Sequence, residues 1–212
     1  KTESLSLLSP EEADRKLKSI LIALLLDAYK MHDAHESIEG YDEIAQRFGD
    51  DQDPEVQKQV GRALLHKGKA LNHQADKLEE AIAIYDDVAQ RFGNDMDVTS
   101  ALANAAEAAL ILGRNEEAVQ RAKALQAHAD ADKGDKIIMA FIIWLADPKT
   151  PLQHVQKAIQ AAGDRTEFHW SFTEVKPFID NLPKTRKKQA GCFIDYFTQY
   201  ASKKELQACL KK

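Results

Sequence analysis

A segment of this chain occurs twice. Tyr41–Gly49, YDEIAQRFG, returns as Tyr85–Gly93, YDDVAQRFG, at a spacing of 44 residues. Each copy runs on into an acidic turn, Asp50, Asp51 and Asp53 after the first and Asp95 and Asp97 after the second. A period of this size marks stacked helical hairpins, each too small to cover its own apolar face and completed by its neighbours. Such an array is built for surface rather than for an enclosed catalytic pocket.

The rest of the composition agrees with an all-α chain. Ala and Leu dominate the apolar residues, 30% of residues are charged, and there are only 9 Gly and 6 Pro in 212 residues. The longest apolar runs are Ile20–Leu26 and Ile137–Ala146. Both fall short of the roughly 18–20 residues a membrane-spanning helix needs. Both read as buried helix segments, and no membrane partner is expected. No cleavable leader is visible, although the chain starts at Lys1, which leaves room for a leader or a further domain upstream. Cys192 and Cys209 belong to no Cys-x-x-Cys pair and read as small buried apolar residues, with a bridge between them as the alternative. The cytoplasm is the expected location.

Charge is unevenly spread. Residues 1–146 carry 17 Lys and Arg against 27 Asp and Glu, and residues 147–212 carry 12 against 7. An acidic array repels phosphate, so no nucleic-acid partner is expected. The one basic run, Lys184, Arg186, Lys187 and Lys188, lacks interleaved aromatics and reads as a solvated first helical turn.

Helix signals punctuate the chain. Ser9, Pro10 and Glu12 form a capping box with Pro at the first position. The helix they open runs to about Lys30, with Leu17, Ile20, Leu21, Leu24, Leu25 and Ala28 on its apolar stripe. The second helix carries Ile38, Tyr41, Ile44, Ala45 and Phe48 and stops at Gly49, read as a left-handed residue. Asp53-Pro54 starts the third, in which Gly68 implies the close approach of another helix. The fourth runs from Leu78 to Phe92. Asp97 is read as the cap of a fifth, Ala-rich helix, and Gly113 as the turn into a sixth that ends near His128. Beyond it, Asp135–Ala146 is apolar almost all round and must be covered on both sides. Thr150–Gln153 and Ser202–Glu205 read as further capping boxes, and Pro177 as a helix breaker.

The residues at the hairpin turns resemble the tetratricopeptide repeat family. Gly113, Glu116, Glu117 and Ala118 fit its turn. Glu79, Glu80, Ala81 and Tyr85 fit a second copy with one extra turn residue, and Glu36, Ser37 and Tyr41 form a looser first copy. The copies are spaced 44 and 37 residues apart, longer than the family's roughly 34. The third has Ala122 where the aromatic belongs, and the family's early Trp is missing throughout. The resemblance implies an α-α superhelix of about three hairpins over residues 1–130, capped by a helical region over 131–212.

It also implies a concave groove lined by the first helix of each hairpin. With Gly68 as the small late position, the groove residues of the second hairpin are Arg62, Leu65, Lys69, Asn72 and His73. Those of the first are Ser19, Ile22, Leu26, Tyr29 and Lys30, and those of the third are Ser100, Ala103, Glu107, Leu110 and Ile111. The implied function is a protein-interaction scaffold that binds a protein or peptide segment, with a partner of basic character suiting the acidic array. Self-association through an array end is a further outcome. Two rival readings are a sensor or regulatory portion of a larger signalling protein with its activity upstream, and an enzyme with a site around His169, Trp170 and Glu174.

Other chemistry finds no complete motif. His32 and His35 with Asp33 and Glu36 lack a third metal ligand in the right place. The stretch Asp130–Asp135 has Gly134 and Phe141 where a calcium loop needs oxygen ligands, so it reads as a linker. There is no phosphate-binding Gly loop, no Gly-x-Ser-x-Gly and no His-Glu-x-x-His. No metal, cofactor or catalytic residue is therefore expected.

Overall fold

The computed structural model describes residues 9–29, 34–92, 96–162, 170–198 and 202–211, the side chains of residues 34, 35, 96 and 97 apart. Every regular element among them is helical. The chain divides into two compact units, Lys1–Val98 and Thr99–Lys212. Residues 99–130, read above with the array, group with 131–212 in this division.

The first unit contains α1 (Pro10–Tyr29), α2 (Ala34–Phe48), α3 (Pro54–Asn72), a 3-10 turn (Ala75–Lys77) and α4 (Leu78–Phe92). Its helices pack in sequence, with α3 against α1, α2 and α4. The capping signals work as read. Ser9 N–H donates to Glu12 (2.8 Å) and Glu12 N–H to Ser9 Oγ (3.2 Å). The Asp53 carboxylate accepts from the amides of Glu55 (2.9 Å) and Val56 (3.2 Å). A carboxylate there also meets the positive end of the helix dipole. Asp51 receives Lys18 at 3.3 Å and so ties α1 to the acidic turn.

The repeated segments both seat their tyrosine on α3. Tyr41 of α2 is 3% exposed and stacks on His66, with centroids 5.8 Å apart. Tyr85 of α4 is fully buried against Gly68, where a Cβ would come within 2.5 Å of its ring. Gly68 is therefore the close-approach point that its helix-weakening cost implied. Lys67 bonds Asp42 of α2 at 2.7 Å and lies 3.9 Å from Glu80 of α4, spanning the two helices that carry the copies. Gly49 does not take the left-handed conformation read for it. A side chain there would run into the Ala45 carbonyl, so crowding by the last turn of α2 demands glycine. Among the described residues the left-handed glycine is Gly113, at φ +75°.

The larger departure is α1. Its buried residues are Ile22 and Leu26. Leu17, Ile20, Leu21 and Leu24, read as its core stripe, are 66%, 56%, 46% and 62% exposed. The helix has apolar side chains on two opposite faces, and the unit covers the smaller of them.

The second unit holds most of α5 (Met96–Ile111), then α6 (Asn115–Ala127), α7 (Lys133–Ala146), α8 (Gln153–Ala161), α9 (Lys176–Asp180), α10 (Lys184–Phe197) and α11 (Lys203–Lys211). Asp97 lies inside α5 rather than before it, and its side chain is outside the described residues. Helix α7 is buried from Ile137 to Ala146, as its all-round apolar character required. Asp132 and Asp135 cap it reciprocally (2.7 and 3.2 Å), which gives the read linker a definite function. At its centre the Phe141 ring meets those of Trp144 (5.9 Å), Phe172 (5.9 Å), Phe193 (5.7 Å) and Phe197 (5.3 Å).

Three local readings change. Thr150 does not cap α8, because its hydroxyl donates to Asp147 at 2.8 Å. Pro177 opens α9 instead of breaking a helix, since a first-turn residue needs no N–H partner. Arg186 is not a solvated member of the basic run. Its guanidinium lies 4.3 Å from the centroid of the Trp144 ring and donates to the carbonyls of Trp144 and Pro148. Burial lowers its pKa from the ordinary value.

Cys192 and Cys209 form a disulfide that joins α10 to α11 across a sequence separation of 17. The reading of both as free buried thiols is overturned. Linear distance hid a pairing that the packing of α10 against α11 creates. Such bridges persist in oxidising compartments and are rare in reducing cytosol, which weighs against a cytoplasmic location. No helix among the described residues is long and apolar enough to cross a membrane. Closing a loop of this length restrains the unfolded chain by about 3 kcal/mol. Paired Cys192→Ala and Cys209→Ala substitution should therefore lower stability by about that much. Amide exchange should quicken first across 203–211, and unchanged exchange there would show that α11 is held by packing alone.

Candidate functional site

The groove residues inferred from the resemblance fall into three groups. Arg62 and Lys69 are half-buried and His73 is exposed. At spacings of seven and four they share one edge of α3 and its C-cap, His73, away from the face that Tyr85 covers. Leu65 and Asn72 are 4% and 9% exposed, so the expected apolar floor of the second hairpin lies inside the folded chain. The Asn72 Oδ1 has no hydrogen-bond partner among the described residues. In the first hairpin, Ile22 and Leu26 are core. Tyr29 is half-buried and donates its hydroxyl to Glu43 at 2.9 Å, a bond that raises its pKa. Ser19 is half-buried, and Lys30 lies outside the described residues.

The third-hairpin residues belong to the second unit. Ser100 is half-buried, and its carbonyl accepts from the Asn104 side chain at 2.7 Å. Ala103 and Leu110 are buried, and Ile111 is half-buried. Glu107, expected among the groove residues, is 3% exposed. Its pKa is raised to about 8, first by loss of solvation and then by the negative charge of Glu174. The Trp170 indole is near enough to favour the ionised form slightly, yet Trp170 Nε1 and Glu107 Oε1 both lack a hydrogen-bond partner among the described residues. Such a shift, from burial plus a like-charged neighbour, is found at functional sites and at structural ones. Sequence reasoning singled out Trp170 and Glu174 but missed that Glu107 joins them, because the meeting is long-range. His169 of the same reading lies outside the described residues.

Among the described residues no group of three or more His, Cys, Asp or Glu could hold a metal ion. His32, and the side chain of His35, are outside them. A groove of about 430 Å³ runs between α8 and α11, with Ile159, Leu206 and Leu210 as its apolar lining and Gln156, Gln160, Gln207 and Lys203 around them. No pattern along the chain announces it, since its two walls are more than 40 residues apart.

The most conspicuous surface is the outer face of α1. Leu17, Ile20, Leu21 and Leu24 recur at i, i+3, i+4 and i+7 and so form one continuous stripe. The largest exposed apolar patch on a soluble protein spans a few hundred Å² and is often its interaction site.

Compared with protein-family models, with curated proteins and with solved structures, the chain matches none.

Proposed function

We propose that this chain is a protein-interaction module assembled from tetratricopeptide-like helical hairpins. The observation that carries the reading is the outward apolar face of α1, where four large aliphatic side chains are each about half-exposed or more. Water penalises such a stripe, and a partner helix or groove that covers it recovers the lost hydrophobic stabilisation. The duplicated segments support the same reading, because both pack on α3 and leave α1 at the end of the series.

A second surface is the edge of α3 that carries Arg62, Lys69 and His73, which the groove reading selects and which remains part-exposed. With Leu65 and Asn72 buried, this edge offers polar and cationic contacts rather than an apolar floor. The acidic surplus of the first 146 residues still suits a partner with basic character.

A photo-reactive residue in place of Leu24 tests the proposal against one in place of exposed Lys123. The probe at 24 should crosslink to a single mapped segment of a protein partner, whether another copy or a different chain. Products as sparse and scattered as those from position 123 would refute it.

A further inference from the structure

We propose that the outer face of α1 pairs with the same face of a second copy of this chain, the two helices running antiparallel. The inference rests on the reading above, that this face binds protein, and goes on to name the partner.

The stripe reads the same in both directions. Its midpoint falls between Ile20 and Leu21, so a two-fold axis there sets Leu17 against Leu24 of the other copy and Ile20 against Leu21. One turn further out, Ala13 faces Ala28, both exposed and both small enough for the helices to stay close. Closed dimers need this self-complementarity, in which residue i meets j and j meets i.

The charges beside the stripe agree with that direction. Lys16 and Asp27 are both exposed and lie on the same flank. In an antiparallel pair like flanks adjoin, and each Lys16 comes level, within about one helical turn, with Asp27 of the other copy. The opposite flank carries Lys18, which lies 2.9 Å from Asp14 and 3.3 Å from Asp51. A parallel pair would instead set Lys16 beside that flank, away from Asp27.

The size also fits. The four exposed side chains present on the order of 400 Å² per copy. Two such faces with their flanks bury about 1,000–1,200 Å², the lower end for a specific interface, so a dimer of roughly micromolar affinity is expected.

Sedimentation equilibrium of the full chain tests this. The protein should dimerise reversibly, and Leu24→Glu should abolish the dimer while leaving the helical spectrum intact, because Leu24 touches solvent in the monomer. Lys16→Asp and Asp27→Lys should each weaken the dimer by about tenfold, and the double reversal should restore it to within about threefold. A monomer at about 100 µM, or a dimer that survives Leu24→Glu, overturns the proposal. Failure of the double reversal to rescue overturns the antiparallel pairing. A monomer whose residue-24 probe still captures one segment of a different protein refutes the dimer and leaves the interaction-module reading standing. Binding of the wild-type face only to phosphatidylserine vesicles refutes both.

Discussion

Glu107→Gln should leave stability near pH 5 almost unchanged and raise it at pH 9 by up to about 5 kcal/mol. Glu107 has a folded-state pKa of about 8 against an ordinary 4.5. Between those values the folded chain keeps a proton that the unfolded chain has lost. The stabilisation is therefore complete below about pH 4.5 and fades as pH rises, being gone above about 8. Glutamine keeps the shape of the protonated acid and cannot ionise, so the variant should hold its stability across this window. The negative charge of Glu174 raises the Glu107 pKa further, so Glu174→Gln should make the wild-type loss smaller and end it at lower pH. Denaturant melts from pH 5 to 9 decide the matter. Parallel pH profiles for wild type and Glu107→Gln would show that the carboxyl is ionised and solvated in the folded chain.

Phe141→Ala should cost about 4 kcal/mol. Phe141 has no exposed surface and meets four other rings within 6 Å, on α7, α10 and the segment before α9. Removing it deletes the transfer contribution of a whole aromatic side chain and leaves a void that rigid neighbouring rings fill poorly. Phe141→Leu, which keeps most of the volume, should cost much less. The emission of Trp144, stacked on Phe141 at 5.9 Å, reports the change locally. A loss below about 1 kcal/mol would show that the cluster closes over the gap.

The helix pattern was legible because its signals are local. Ser9 with Glu12 and Ser202 with Glu205 each make the reciprocal bonds of a capping box, and both can be read within four residues. Asp53 capping α3 and Gly113 turning left-handed belong to the same class. Gly68 was legible as a contact point because glycine in mid-helix is costly unless something must come close.

The candidate sites were less legible because each depends on which face is covered. On α1 both faces are apolar, so periodicity groups Leu17 with Leu24 and Ile22 with Leu26 but cannot say which group meets α3. The resemblance placed Glu107 on a groove wall, but the chain returns at Trp170 and Glu174 to bury it. Arg186 looks like one charge in a basic run until Trp144 stacks beneath it.

By itself the sequence determined the all-helical class, the starts of helices such as α1, α3 and α11, the repeat that seats two tyrosines on one helix, and the need to cover α7 on every side. These follow from capping chemistry, periodicity and composition, which act over one or two helical turns. Only the tertiary structure decided that α1 turns its larger apolar stripe outward, that Cys192 meets Cys209, and that Glu107 is shut away beside a second carboxyl. Those outcomes depend on contacts between residues far apart in the chain, where solvation, charge and packing are settled by whatever neighbour the fold delivers.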